Sequence, residues 1–320
     1  MREITKENIQ SVDLLKKIPK SDLHNHGSYG GNISYISKYF NIYPEPKPIF
    51  FDDLEDMTVW FNNNIGKRCA GVKGYIKRIQ SAFVQAKVDS IELLAMSFGK
   101  KEIEIFGGIQ SFVRIINRLQ KHYAPNSIFL PELSLRREED IRGIIPWLEE
   151  VLDANWFVSI DISGKEEARS ICDFVSIYRI AEKKHLRLKA HVGEFGEAED
   201  IKVAVDTLHL SEVHHGIAAI KSKDVMRWLA REKIQLNICV TSNIRLKRVK
   251  DYTSHPIRVF FDYGIPVTIN TDDMLIFNSS VSQEYNKLYS CGVFNIEELE
   301  MIRKNGLKEK LSQVNNVHKG

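Results

Sequence analysis

Eight strand-like segments alternate with helix-like segments through most of this 320-residue chain. Strands that alternate with helices pair in parallel, and eight such units are typical of a (β/α)8 barrel. The carboxyl ends of the strands then meet at one face, where side chains can build a site. The predicted strands cover residues 21–26, 90–98, 126–135, 156–164, 186–191, 211–216, 234–240 and 265–273.

Further segments extend this α/β pattern at its ends and after the first strand. A helix is predicted over residues 3–17, and helices follow Val281, including 295–311. Residues 42–50 hold three prolines and predict a loop. Residues 52–87 predict a helical insertion, broken near Gly66, Gly71 and Gly74, that could cover the pocket. The helices predicted between later strands are 108–123, 138–154, 165–185, 196–208, 222–233 and 255–264.

An open, doubly wound sheet is the competing arrangement. It is disfavoured because no GxGxxG motif follows any strand, and because polar residues stand at many strand ends instead of at one switch point. No internal repeat stands out, so residues 1–320 are predicted to form a single domain.

Composition narrows the class of protein. The net charge of +3 is too small to argue for nucleic acid, and no apolar run approaches the length of a signal peptide core or a membrane span. Four cysteines stand far apart without a CxxC pair, which favours reduced thiols. These features predict a cytoplasmic protein that binds neither nucleic acid nor membrane, and they leave its oligomeric state open.

Histidine and carboxylate side chains stand in pairs at the ends of four predicted strands. Three imidazoles and one carboxylate suit a divalent transition metal, zinc above all, when positions are left open for water. Such a metal lowers the pKa of its bound water, so that hydroxide is available as a nucleophile. The pairs are His24 with His26, His191 with Glu194, His214 with His215, and Asp272 with Asp273.

Six motifs occur in an order that resembles the adenosine deaminase family, within the amidohydrolase superfamily. They are PKSDLHNHGSYGG, SIDISGKE, AHVGE, VHHG, CVTSN and NTDD, and they cover the chain from about residue 19 to about residue 310. The resemblance implies hydrolytic deamination of an aminopurine nucleoside, such as adenosine or deoxyadenosine, with one Zn²⁺ per chain. The products would be the 6-oxopurine and ammonia.

The resemblance also implies a role for each matching residue. Glu194 would protonate N1 of the ring while hydroxide attacks C6, and His215 would orient the hydroxide and shuttle its proton. Asp273 would hold the imidazole side of the purine and align the attacking water, and Gly164 would offer its N–H to the ring. The metal ligands implied are His24, His26, His191 and Asp272.

The sequence departs from the family pattern around the substrate. Members that process nucleosides usually carry a carboxylate two residues after the second histidine, and here that position is Ser28, which is still expected to contact substrate. Lys165 also replaces a commonly acidic residue. Fewer negative charges open an alternative: the same chemistry on a nucleotide such as AMP or N6-methyl-AMP. Two further alternatives are another amidohydrolase-type ring or amide hydrolysis, and a catalytically silent binding protein.

Other polar residues have ordinary interpretations. His214 and His215 are adjacent in a predicted strand and face opposite ways, so His214 is expected to be structural. The run 244–250 predicts a solvated basic helix face, or else a phosphate contact. Surface or packing roles are expected for His122, His185, His209, His255 and His318.

Overall fold

The computed structural model describes residues 2–45 and 47–308 of the chain. Within them, eight parallel strands follow one another around a single sheet in the order β1 to β8. This order confirms the predicted (β/α)8 barrel. The strands are β1 Lys20–Asp22, β2 Ile91–Phe98, β3 Ile128–Arg136, β4 Ser159–Ser163, β5 Arg187–Val192, β6 Glu212–His215, β7 Gln235–Ile238 and β8 Val267–Ile269.

The barrel closes between its shortest strands, β8 and β1. Asn25 and Asp272 form an isolated parallel bridge, in which the Asp272 N–H donates to the His24 carbonyl at 2.9 Å. Side chains complete the seam, since the Leu23 N–H donates to Asn270 Oδ1 at 2.8 Å. The residues that follow β1 and β8 are therefore held side by side, and these are His24 and Asp272.

Helices surround the barrel and bury apolar stripes against it. In the helix Ile109–Tyr123 the stripe is Ile109, Phe112, Ile116 and Leu119, spaced by three or four residues as an amphipathic helix requires. The helices are α1 Lys6–Ile9, α2 Val12–Leu15, α3 Ile33–Phe40, α4 Leu54–Phe61, α5 Gly71–Val88, α6 Lys100–Ile105, α7 Ile109–Tyr123, α8 Ile141–Asp153, α9 Val175–Lys183, α10 Ala198–Leu208, α11 Lys223–Glu232, α12 Val240–Arg245, α13 Ile257–Asp262, α14 Met274–Phe277, α15 Val281–Ser290 and α16 Ile296–Leu307.

Several predicted helix and strand boundaries are wrong, each for a local structural reason. The helix predicted over 3–17 is two short helices, because Ser11 caps a second start. Regular pairing in β1 ends at Asp22, short of the predicted 21–26. Gly74 lies inside α5 and does not break it: a Cβ there would stand 1.8 Å from the Cys69 carbonyl oxygen, so close packing requires glycine. The last residues of the predicted 295–311 helix lie outside the described residues.

The largest local error concerns residues 165–185, predicted as one helix. The structure has two short 3-10 turns, Glu166–Ala168 and Ile171–Phe174, before α9 begins at Val175. The chain turns here because the Glu166 side chain binds backbone beyond β5 instead of pointing to solvent. The helices α3, α6, α12 and α14 were not predicted.

In the part of the chain that the structure describes, no helix combines the length and apolar character needed to cross a bilayer.

Candidate active site

The predicted site residues converge at the carboxyl ends of the strands, around a cavity of about 410 Å³. Helix α4 covers part of it, contributing Leu54, Met57 and Thr58 to the lining. This confirms that the insertion after β1 reaches the pocket. The predicted site residues that line the cavity are His26, Gly164, His191, Glu194, His215, Asp272 and Asp273.

Three histidines share one hydrogen-bonding pattern. In each, Nδ1 faces an acceptor: the Asn237 carbonyl for His24 at 3.4 Å, Asp273 Oδ1 for His26 at 2.8 Å, and Asp161 Oδ1 for His191 at 2.9 Å. Each Nδ1 therefore carries the proton, which leaves the lone pair on Nε2.

All three Nε2 atoms are buried and have no hydrogen-bond partner among the described residues. Buried polar atoms are seldom left unsatisfied, and a histidine that donates Nδ1–H to an acceptor is typical of a metal ligand. The ring centroids of His24, His26 and His191 lie 4.7 to 5.2 Å apart. Ligand atoms of His24, His191 and His215 lie within 4.8 Å of one another, and those of His26, Asp272 and Asp273 form a second such group.

Asp272 supplies the carboxylate beside these rings. Its Oδ1 lies 3.9 Å from His24 Nε2 and 3.3 Å from His26 Nδ1. Its φ of 62° is in the left-handed region, which non-glycine residues seldom occupy. Such strain is often found at functional sites, where the surrounding structure imposes it. The histidine and carboxylate groups gathered here suit a divalent metal.

His215 lies beside this group but has the opposite hydrogen-bonding pattern. Its Nδ1 faces the Asn243 side-chain amide at 3.1 Å, while its Nε2 lies 3.5 Å from Glu194 Oε2 and 3.7 Å from Asp272 Oδ2. His215 has φ of 64°, so the chain leaves regular strand geometry at this residue. Burial lowers the pKa of His215 well below its usual value. The nearby histidines also lower this pKa, whereas the charge of Asp272 raises it.

His214 also points into the barrel, although adjacent residues in a regular strand would face opposite sides. Its ring centroid lies 4.0 Å from that of His24, and its Nε2 lies 3.2 Å from Glu132 Oε1. The unusual φ of His215 lets both side chains turn inward. His214 remains, as predicted, a candidate for a structural role beneath the site.

Glu194 is buried against the rim of the site. Burial, followed by the negative charges of Asp272 and Glu166, raises its pKa well above the usual value. A carboxyl group in this environment is held in its protonated form and can donate a proton.

Two residues missed by sequence reasoning hold the turn that carries Glu194. The Glu166 carboxylate accepts hydrogen bonds from the backbone N–H groups of residues 193, 194 and 195, each at 2.8 Å. Arg137, which lies within 4.0 Å of Glu166, donates to the His191 carbonyl at 3.2 Å. Glu166 directly follows Lys165 in the SIDISGKE motif. Its place in this motif was the sequence signal that could have identified Glu166 as part of the site.

Substrate contacts can be placed around the same cavity. Asp273 lines it, and Gly164 does so with φ of 95°, a conformation that glycine tolerates best. Ser28 is buried, and its hydroxyl donates to Glu102 Oε1 at 2.8 Å. Glu102 itself lines the cavity. A carboxylate is therefore present beside Ser28, although the residue at position 28 is not acidic.

The basic run after α12 is engaged elsewhere. Arg245 donates to the Pro48 carbonyl at 2.7 Å, Lys247 pairs with Asp52, and Arg248 packs over the Phe195 ring. Arg245 and Lys247 therefore hold the loop before α4. None of the three side chains is among the residues that line the cavity.

A (β/α)8 barrel with histidines and carboxylates at its strand ends defines a class of metal-dependent hydrolases. Residues 137–317, more than half of the chain, match the profile of the adenosine deaminase family. The chain belongs to this family, and it is a hydrolytic deaminase that acts on a carbon–nitrogen bond. The predicted family and enzyme class are thus confirmed.

Individual proteins resemble this chain in sequence or in fold. A putative adenosine/adenine deaminase from Treponema pallidum is 28% identical over 286 residues, covering 89% of this chain and 96% of the relative. An adenine deaminase from Arthrobacter aurescens superposes with a TM-score of 0.79 at 20% identity, over 91% of this chain and 93% of its own. The N6-methyl-AMP deaminase from Arabidopsis thaliana gives a TM-score of 0.77 at 18% identity, over 93% of each chain.

Proposed function

We propose that the protein deaminates an aminopurine nucleoside, adenosine or deoxyadenosine, to the 6-oxopurine and ammonia. The observation that carries the proposal is a group of metal-ligating side chains beside a buried carboxyl group whose pKa is raised. The Nε2 atoms of His24, His26 and His191 have no partner among the described residues, and Asp272 lies close to the first two rings. Glu194 lines the same cavity.

Each residue of the chain has a role in this proposal. His24, His26, His191 and Asp272 hold a divalent ion, taken to be Zn²⁺ because nitrogen-rich sets with one carboxylate suit it. When bound, the ion lowers the pKa of water and so makes a nucleophile available near neutral pH. Glu194 donates its proton to ring N1 as water adds at C6, which stabilises the charge that develops on the ring.

The remaining groups orient the attacking water or the substrate. His215 is buried beside Glu194 and Asp272, so it can orient the attacking water by a hydrogen bond from its ring. Asp273 faces the imidazole side of the purine, and the Gly164 N–H faces the six-membered ring. The amino group then leaves C6 as ammonia and takes the proton of the added hydroxyl group, which becomes the 6-oxo oxygen.

Glu102 supports a nucleoside over a nucleotide. It places a carboxylate in the cavity beside Ser28, where a sugar hydroxyl can donate to it and a phosphate would be repelled. Ser28 then acts on substrate through Glu102, whose position its hydroxyl fixes. The alternative, a nucleotide such as AMP or N6-methyl-AMP, is favoured by Lys100, Lys101 and Arg136, which line the same cavity.

Ammonia release by the zinc-loaded protein tests the proposal against adenosine, deoxyadenosine, adenine, AMP and N6-methyl-AMP. We expect turnover of the nucleosides to exceed that of the nucleotides, and Glu102→Gln to narrow that difference. Glu104→Gln, an exposed position on the same helix, is the matched control. Turnover of nucleotides alone would contradict the nucleoside assignment, and silence across the whole panel would contradict purine deamination.

The role of Glu194 has its own test. Glu194→Gln should retain metal and lose activity by about two to four orders of magnitude, because only the proton donor is removed. Activity equal to that of the unaltered protein would exclude Glu194 as the acid.

A further inference from the structure

Asn243 is a buried residue that links His215, Glu194 and the more distant His255. Its Nδ2 lies 3.1 Å from His215 Nδ1 and 3.4 Å from Glu194 Oε1, and its Oδ1 lies 3.2 Å from His255 Nε2. Asn243 has no exposed surface, and His255 has 2%. None of the roles assigned above uses either side chain.

The direction of these hydrogen bonds is determined by one group, the backbone N–H of Ile257. That N–H can only donate, and it donates to His255 Nδ1 at 3.1 Å. His255 Nδ1 is therefore unprotonated. Burial lowers the pKa of His255 to about 3, so the ring is neutral and its single proton is on Nε2.

The next step fixes the amide of Asn243. The His255 Nε2–H needs an acceptor, so the atom that faces it must be the amide oxygen. The NH2 group of Asn243 then faces the site, with one hydrogen toward His215 and the other toward Glu194. His215 Nδ1 must accept, which puts the proton of the neutral imidazole on Nε2.

We propose that His255 and Asn243 form a positioning relay that holds neutral His215 in the Nε2–H form. In this form Nε2 has no lone pair for a metal, so His215 stays outside the ligand set although His24, His191 and His215 bring nitrogen atoms within 4.8 Å of one another. The same amide donates to Glu194 Oε1 at 3.4 Å, so the relay also holds the Glu194 carboxyl group, whose Oε2 lies 3.5 Å from His215 Nε2.

The relay rests on the proposed roles of His215 and Glu194, but its first test does not depend on activity. The full-length protein, labelled with ¹⁵N-histidine, is studied metal-free and zinc-loaded by long-range ¹H–¹⁵N correlation, which shows the protonated nitrogen of each neutral ring. His215→Asn assigns the His215 signals. We expect the proton of His215 on Nε2 and that of His255 on Nε2.

Two variants perturb the relay at different points. Asn243→Asp offers only acceptors toward His215, so the proton should move to Nδ1. His255→Phe removes the donor that fixes the amide, so both forms of His215 should be seen. Ser242→Ala is the matched control: Ser242 is the buried neighbour, its hydroxyl has no hydrogen-bond partner among the described residues, and the spectrum should not change.

Kinetics separate positioning from simple loss of structure. Asn243→Asp should lower kcat by at least about 100-fold with KM changed only a few-fold, because the Nε2–H that orients the attacking water is lost while substrate binding is kept. The kcat of His255→Phe should lie between that of Asn243→Asp and that of Ser242→Ala.

A His215 proton on Nδ1 in the unaltered protein would overturn the relay, and so would an unchanged Nε2–H form in folded Asn243→Asp. If Asn243→Asp does not fold, His255→Phe and the unaltered protein still decide. A protein that shows the expected form of His215 but deaminates no purine would contradict the proposed function and leave the relay standing.

Discussion

Replacing Glu166 by glutamine tests how the proton donor is held in place. One carboxylate oxygen accepts from the N–H groups of Glu194 and Phe195, and the other accepts from Gly193. The side chain is only 7% exposed, so water cannot readily replace it. In Glu166→Gln the amide oxygen can keep two of these bonds, while its NH2 group meets the Gly193 N–H and leaves it without an acceptor.

The magnitude follows from the count of bonds. An unsatisfied buried N–H costs about 1–3 kcal/mol, and each of the two remaining bonds weakens by about 1 kcal/mol when its acceptor loses charge. We expect the free energy of unfolding of Glu166→Gln to fall by about 3 kcal/mol. Glu166→Ala leaves all three N–H groups without an acceptor, so its free energy of unfolding should fall further. The kcat should fall in the same order, because the Glu194 carboxyl moves away from its position and loses a charge that raises its pKa.

Urea denaturation and steady-state kinetics measure both effects on the same preparations. Glu167→Gln removes the same charge one residue away at an exposed position, and its unfolding free energy should stay within about 0.5 kcal/mol. If Glu166→Gln matched Glu167→Gln in both stability and kcat, the three backbone contacts would not hold the turn, and the reasoning would fail.

Two further predictions concern the metal and pH. Removal of metal by a chelator should abolish activity and lower the Tm, and Zn²⁺ should restore both. Elemental analysis of His191→Ala should find less than one ion per chain. Full metal occupancy in that variant would remove His191 from the ligand set. Burial lowers the pKa of Lys20 to about 8, so between about pH 8 and its unfolded value of 10.5 the unfolded state alone carries the proton. Unfolding free energy should therefore rise with pH across this window, by up to about 3 kcal/mol, and Lys20→Met should lose that part of the slope. Identical slopes in the two proteins would contradict the shifted pKa.

The barrel and its polar clusters were predictable because both depend on local patterns. Strand and helix periods alternate eight times, and the histidine and carboxylate pairs stand where strands end, so a barrel must bring them together. Glu166 was not predictable, since its position reads as an ordinary helical surface residue. Its role depends on the chain turning at 165–174 and on contacts with backbone 27 to 29 residues away. Asn243 and His255 were missed for the same reason.

The division of labour among the histidines is likewise a property of their partners. His24, His26 and His191 each face an acceptor at Nδ1, which leaves the Nε2 lone pair available to a metal. His215 faces a donor at Nδ1, which leaves a proton on Nε2. Residue type and strand position are the same in both cases. Spacing alone therefore identifies the four histidines but cannot distinguish the metal ligands from His215. A single amide held in one orientation is enough to distinguish His215 from the metal ligands His24 and His191, whose ring centroids lie 4.7 and 5.3 Å from its own.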